Sequence, residues 1–256
     1  MGEGGKMAEL SFFDSNCMIG RRTAREPREI WRVDRLLEDM AYFGIARALV
    51  FHALAKEYDP AVGNERLLEE IKGRKALCGC WVVLPPHTGE MEEPEALVRK
   101  MIQTGVKAVR VFPKLHSFAL DEWCCAPLWG ALEARRVPVL IDKDQIEWPQ
   151  VWELCRAHRD LPVILTSVGY REDRNLYPLF AEFEHLYVEI SWYAVHSGIE
   201  AICRRFGAGR LLFGTRMPFF TPGTALTAVR YAQISSAEKR WIAGGTLQRL
   251  LKEVIV

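Results

Sequence analysis

Eight short, almost wholly apolar runs alternate with segments of helical period along this 256-residue chain, and that rhythm leaves few folds open to it. The runs are ELSFFDSN (9–16), ARALVFH (46–52), ALCGCWVVL (76–84), VKAVRVF (106–112), VPVLID (137–142), PVILTS (162–167), LYVEIS (186–191) and LLFGTR (211–216). A strand covered on both faces reads as continuously apolar, so these fit a parallel sheet whose crossover helices coat it. The intervening stretches agree. In VDRLLEDMAYFG (33–44), Val33, Leu36, Leu37, Met40 and Phe43 fall three and four apart and Gly44 supplies a stop. EPEALVRKMIQTG (93–105) opens on Pro94 and closes on Gly105, and WPQVWELCRAH (148–158) carries an apolar stripe. Pro127 should kink or divide DEWCCAPLWGALEARR (121–136).

Eight strand-helix units in about 250 residues match a (β/α)8 TIM barrel. An open doubly wound sheet would show the same alternation, but the first turn has no Gly-rich phosphate loop. The expected architecture is therefore α/β, one TIM-barrel domain over 1–256, with 1–8 as a flexible tail. Composition narrows function by exclusion. With 34 basic residues against 33 acidic ones, the chain lacks the electrostatic footprint of a nucleic-acid binder or a protein of anionic membranes. The N-terminal MGEGGKMAEL has no signal-peptide core, and no run approaches the roughly 20 apolar residues of a membrane span, so a cytoplasmic location is expected. Seven scattered cysteines do not suggest a disulfide framework; reduced, buried cysteines do.

In such a barrel, chemistry stands at the C-terminal ends of the strands. Polar residues gather there: Asp14 and Asn16 after the first run, His52 after the second, and Arg110 in the fourth with Lys114 and His116 beyond it. Asp142 to Asp144 follow the fifth run, Ser167 the sixth, Glu189 and Ser191 lie in the seventh, and Arg216 ends the eighth.

Four stretches, FFDSNCMIG (12–20), GVKAVRVFP (105–113), RRVPVLIDKDQ (135–145) and LLFGTRMPFF with ISSAEKRWIAGGTLQRLL (234–251), resemble in order and spacing the amidohydrolase superfamily. The resemblance is to its branch of short metal-dependent barrel hydrolases and decarboxylases, and with LPVILTSVG (161–169) it spans nearly the whole chain. That branch implies two histidines where Asn16 and Met18 stand, histidines at Asp142 and Ser167, and an aspartate at Arg216. Of these positions only Asp142 keeps a good oxygen ligand. A zinc ion needs three or four imidazole, thiolate or carboxylate groups at about 2.0–2.3 Å, and a guanidinium adds a fixed positive charge beside it. No metal and no other cofactor is therefore expected.

The residues leave alternatives open. Arg216 pairs with Asp142 in a structural ion pair, or it is a fork for a substrate carboxylate or a developing oxyanion. Asp142 is a candidate general base, and His52 a candidate for acid–base work near neutral pH. Asn16, Arg110, Ser167 and Trp192 are candidate substrate-binding residues, with Arg110 also the expected counter-ion of Glu189. A Cys17 thiolate near Arg216 would be activated, although buried inert cysteine is the commoner state. The leading expectation is a metal-independent hydrolase acting on a small carboxylate, lactone or amide. The rival is a noncatalytic barrel that binds a small molecule or serves an assembly, with a homo-oligomer also open.

Overall fold

The apolar runs become strands because each side of them meets a different apolar layer. In the computed structural model, which describes residues 10–24 and 31–256, the strands are β1 (Phe12–Ile19), β2 (Ile45–His52), β3 (Leu77–Gly79), β4 (Trp81–Val82), β5 (Val109–Val111), β6 (Val139–Asp142), β7 (Val163–Thr166), β8 (Leu186–Glu189) and β9 (Leu211–Leu212). The expected tail at 1–8 lies outside the described residues. All pairings are parallel, in the orders β1-β2-β3 and β4-β5-β6-β7-β8-β9.

Backbone hydrogen bonds join the two sets at both ends. Cys80 N, between β3 and β4, donates to Val50 O at 2.8 Å, so these two short strands are one interrupted barrel strand. On the other side Ser15 N donates to Phe213 O and Met18 N to Met217 O, both at 2.9 Å, which returns the circuit to β1. The fold is the (β/α)8 TIM barrel that the alternation predicts.

Strand period sorts side chains into two cores. Val109 and Val111, Val139 and Ile141, Val163 and Leu165, and Leu186 and Val188 face the helices. Phe13, Leu49, Ala108, Leu140, Ile164, Tyr187 and Leu212 fill the barrel. The helices are α1 (Val33–Phe43), α2 (Ala53–Glu57), α3 (Pro60–Ile71), α4 (Pro94–Gln103), α5 (Glu122–Ala134), α6 (Trp148–Ala157), α7 (Asp173–Glu182), α8 (Gly198–Phe206), α9 (Gly223–Tyr231), α10 (Ser236–Arg240) and α11 (Thr246–Glu253). Gly44 ends α1 in the left-handed region at φ 72°, its N–H returning to Ala41 O and Met40 O. Pro127 sits inside α5 without dividing it. Leu247 and Leu250 of α11 close the barrel interior against Phe13 and Tyr187.

One boundary differs from expectation. β1 continues three residues past Asn16, to Ile19, because its polar DSN segment is inside the barrel and not at a solvent-facing end. Between Asp14 and Cys17 it advances three residues while β2 advances two, from Ala48 to Val50, the signature of a β-bulge.

Candidate functional site

The inward residues at the C-terminal ends of the strands form a buried polar network centred on Arg110, which is only 1% exposed. Its position in β5, between two outward valines, points it into the barrel. Arg110 Nη1 donates to Asn16 Oδ1 at 2.8 Å, while Nη2 donates to Asp142 Oδ1 at 2.9 Å and to Thr166 Oγ1 at 2.8 Å. The hydroxyls of Thr166 and Ser167 also donate to Asp142 Oδ1, the latter at 3.3 Å. Three donors thus converge on one carboxylate oxygen, leaving Oδ2 for a ligand or a water. Since a guanidinium only donates, Asn16 must present its oxygen to Arg110 and its amide N–H to Glu189 Oε2, at 2.8 Å. Ser191 donates its backbone N–H to Glu189 Oε1 and its hydroxyl to Glu189 Oε2. Beside this chain, Asp14 accepts from the backbone N–H and hydroxyl of Thr215.

The three buried carboxyl groups settle differently. Burial opposes ionisation of Asp142, but Arg110, the Thr166 hydroxyl, Arg216 and Lys56 outweigh it and hold this carboxyl below its ordinary range. Burial pushes Glu189 up to about 7 despite its hydrogen bonds, and pushes Asp14 up as well. The Asp142 carboxylate thus stands ionised among three cations, Arg110, Arg216 and Lys56.

Two of those cations are at the mouth. Lys56 of α2 lies 5.0 Å from the Phe112 ring centroid, and burial lowers its ammonium, with Arg110 and Arg216 acting in the same direction against Asp142. Arg216 lies over Phe220 at 5.4 Å and Phe219 at 6.0 Å. Trp192, 48% exposed, stacks on Phe220 with centroids 4.9 Å apart and planes 19° from parallel. Arg216 and Ser167 both hold φ near +59°, a left-handed conformation that costs a non-glycine residue about 1 kcal/mol. Ser117, Arg171 and Ser197, in other loops of this face, share it.

Several expectations need correction. The ion-pair partner of Asp142 is Arg110, not Arg216, because the long side chain of Arg110 reaches across from β5 to β6. Glu189 meets Arg110 only through the Asn16 amide. Cys17 is 1% exposed in the core under the helices, and burial, together with Asp14, pushes its thiol well above the ordinary range, so it is no activated thiolate. His52 is turned to helix capping: its Nδ1 accepts from Leu54 N at 3.0 Å, and its Nε2 lies 3.7 Å from Glu70 Oε1. Burial lowers this imidazole, and its described contacts lie outside the Arg110 network. Asn16, Arg110, Asp142 and Ser167 are brought together, with Arg216 acting on Asp142 through space. Sequence reasoning missed Lys56 and Thr166. Lys56 looks like an ordinary helix lysine in HALAKEYDP, and Thr166 precedes the serine that marks the strand end.

A family model described as Amidohydrolase matches residues 26–252. No curated protein matches the chain. An uncharacterised TIM-barrel protein from Bordetella bronchiseptica superposes with a TM-score of 0.73 at 15% identity, covering 95% of this chain and 99% of that one. 2,6-Dihydroxybenzoate decarboxylase from Rhizobium gives 0.73 at 14% identity with the same coverage. 5-Carboxyvanillate decarboxylase from Sphingomonas paucimobilis gives 0.69 at 12%, again over 95% and 99%. At such identities the superpositions speak for the barrel, while the family match, over most of the sequence, makes the chain a member of the amidohydrolase family.

Proposed function

We propose that this amidohydrolase-family barrel acts without a metal on a small carboxylate, lactone or amide held at its mouth. The observation that carries the reading is the gathering of three cationic side chains, Lys56, Arg110 and Arg216, around the carboxylate of Asp142. Among the described residues neither Lys56 nor Arg216 makes an ion pair with a carboxylate, so both can meet a ligand anion. The aromatic Trp192–Phe220 stack beside Arg216 offers a flat apolar wall. The two decarboxylases described above are named for small carboxylates, the same chemical class.

The residues at the family's metal positions do not fit a divalent cation. Asn16 Oδ1 and Asp142 Oδ1 already accept from a guanidinium, Met18 packs in the apolar barrel core, and Arg216 places a second fixed positive charge nearby. In the metal-free scheme Asp142 Oδ2 takes a proton from water, and the resulting hydroxide attacks the acyl carbon. Arg216 and Lys56 stabilise the oxyanion, and the leaving oxygen or nitrogen recovers the proton as the intermediate collapses. A carboxylate held below its ordinary range is a weak base, which suits a strained lactone better than an amide. The same weakness favours the second reading, saturable binding of a small carboxylate without turnover.

Protein purified without chelator should contain no stoichiometric zinc, manganese or iron, and should hydrolyse a small aryl lactone such as dihydrocoumarin with saturation kinetics. Arg216→Met should lower kcat/KM about 100-fold, as loss of an oxyanion donor does. Stoichiometric metal that activity requires would overturn the scheme. Saturable benzoate binding with no lactone turnover would establish the binding reading instead.

A further inference from the structure

At the opposite end of the barrel, beneath the N-terminal ends of β6 to β9, a cavity of about 520 Å³ is lined by polar and charged side chains. Arg210 is built into its wall. It is 9% exposed, with its guanidinium 4.6 Å from the Phe180 centroid. Its Nε donates to Leu186 O at 2.9 Å and its Nη2 to Phe183 O. These bonds fix the plane of the fork and leave Nη1 as the remaining edge. Among the described residues Arg210 has no carboxylate ion-pair partner, and a buried cation offset only by carbonyl dipoles and a ring face is costly to hold. Burial lowers its guanidinium, against Tyr187 and Glu184.

We propose that this cavity binds a small phosphate monoester, with Arg210 as the buried anchor for its phosphoryl group. Arg136, Arg159 and Arg249 add three guanidinium groups to the same wall, against the carboxylates Asp160, Glu184 and Glu253. Glu182, which pairs with Arg159, is a fourth carboxylate, so the charges are even and a phosphoryl group is met by guanidinium groups released from their carboxylate partners, with Arg210, among the described residues, already free of one. Two of those carboxylates sit in exposed pairs, Asp160 with Arg136 at 3.8 Å and Glu253 with Arg249 at 3.2 Å; Arg159 pairs with Glu182 at 3.1 Å. Pairs of this kind are weak enough to open for a ligand. Planar forks from separate elements match the several oxygens of a phosphoryl group better than a single carboxylate. The volume exceeds what phosphate alone fills, and Tyr187, Phe206 and Pro162 supply an apolar wall for an organic ester group.

Calorimetric titration with phenyl phosphate and with inorganic phosphate tests the site on the full chain. Phenyl phosphate should bind saturably at one equivalent and more tightly than inorganic phosphate. Arg210→Met and Arg159→Met should each weaken it at least tenfold, while Arg216→Met, at the mouth, leaves it unchanged. Should Arg210→Met fail to fold, the combined substitution of the exposed Arg136 and Arg159 by Met decides. The proposal is overturned by non-saturating heats, by equal affinity for the two probes, or by loss of binding in Arg216→Met with retention in Arg159→Met. None of these outcomes depends on turnover at the mouth.

Discussion

Glu189 shows how closely the site is built around single atoms. A Cβ added at Gly214 would stand 2.4 Å from Glu189 Oε1 and 2.5 Å from its Cδ. Gly214→Ala should therefore destabilise the protein by about 1–3 kcal/mol, the usual cost of overpacking. By pushing Glu189 off Asn16 it should also weaken benzoate binding at the mouth; denaturant midpoints and calorimetry check the two effects. The carboxyl of Glu189, raised from 4.5 to about 7, makes a second prediction. Between these values the native state holds a proton that the unfolded state has lost, so stability falls as pH rises through the interval. At 1.36 kcal/mol per unit this amounts to about 3 kcal/mol. Asp142 acts oppositely: held below 3.8, it loses its stabilising effect as pH falls beneath that value. The stability maximum should lie on the acid side of neutrality, and Glu189→Gln should flatten the decline between pH 5 and 7 in urea titrations. A decline of equal steepness in Glu189→Gln would show that another group titrates there. From sequence, Asp142, Arg110 and Asn16 stand out as polar residues at strand ends, but their partners do not. Arg110 bonds across to residues 94 and 32 positions away, and only the order of strands around the ring determines which long side chain reaches which oxygen.

Elements carry the site in ways that single positions conceal. Lys56 reaches the mouth because α2 is pressed onto α3, where a Cβ at Gly63 would fall 2.1 Å from Ala55 N and 2.3 Å from its Cα. Backbone cannot yield as a flexible side chain does. Gly63→Ala should separate the two helices, cost several kcal/mol, and reduce benzoate affinity more than Gly214→Ala does; unchanged affinity would detach Lys56 from the ligand. Helix boundaries were legible wherever a local stop was present, as at Gly44. Strand ends were less so. The DSN segment of β1 imitates a loop by composition, yet Asp14 and Asn16 are 0% and 3% exposed because Thr215, Arg110 and Glu189, from other elements, satisfy them. In the third run Cys78 and Cys80 share the barrel face, and nothing in the continuous apolar run marks the interruption at Cys80 that divides β3 from β4.

On the scale of the whole molecule the ring has an open end and a plugged one. The eight-unit alternation made the barrel readable because it is the sum of many weak local signals, each pointing the same way. The plug was not readable as a plug: α11 has the apolar stripe of any surface helix, and only the circuit of strands places Leu247 and Leu250 under Phe13 and Tyr187. The circuit itself closes through Ser15 N to Phe213 O and Met18 N to Met217 O, between segments about 200 residues apart. If one domain spans the chain, removing part of the plug weakens every strand together. Leu250→Ala, at a side chain 1% exposed, should cost about 2–5 kcal/mol, appearing as one displaced unfolding transition in which circular dichroism and tryptophan fluorescence coincide. A plug that stabilised only its neighbours would instead separate the two probes, with β1 and β8 melting before the strands between them. Above the transition midpoint nothing of the mouth should survive, whereas below it benzoate affinity should be unchanged. Leu250 lies at the far end of the barrel from Arg110, and its loss alters the stability of the ring without altering any hydrogen bond of the network.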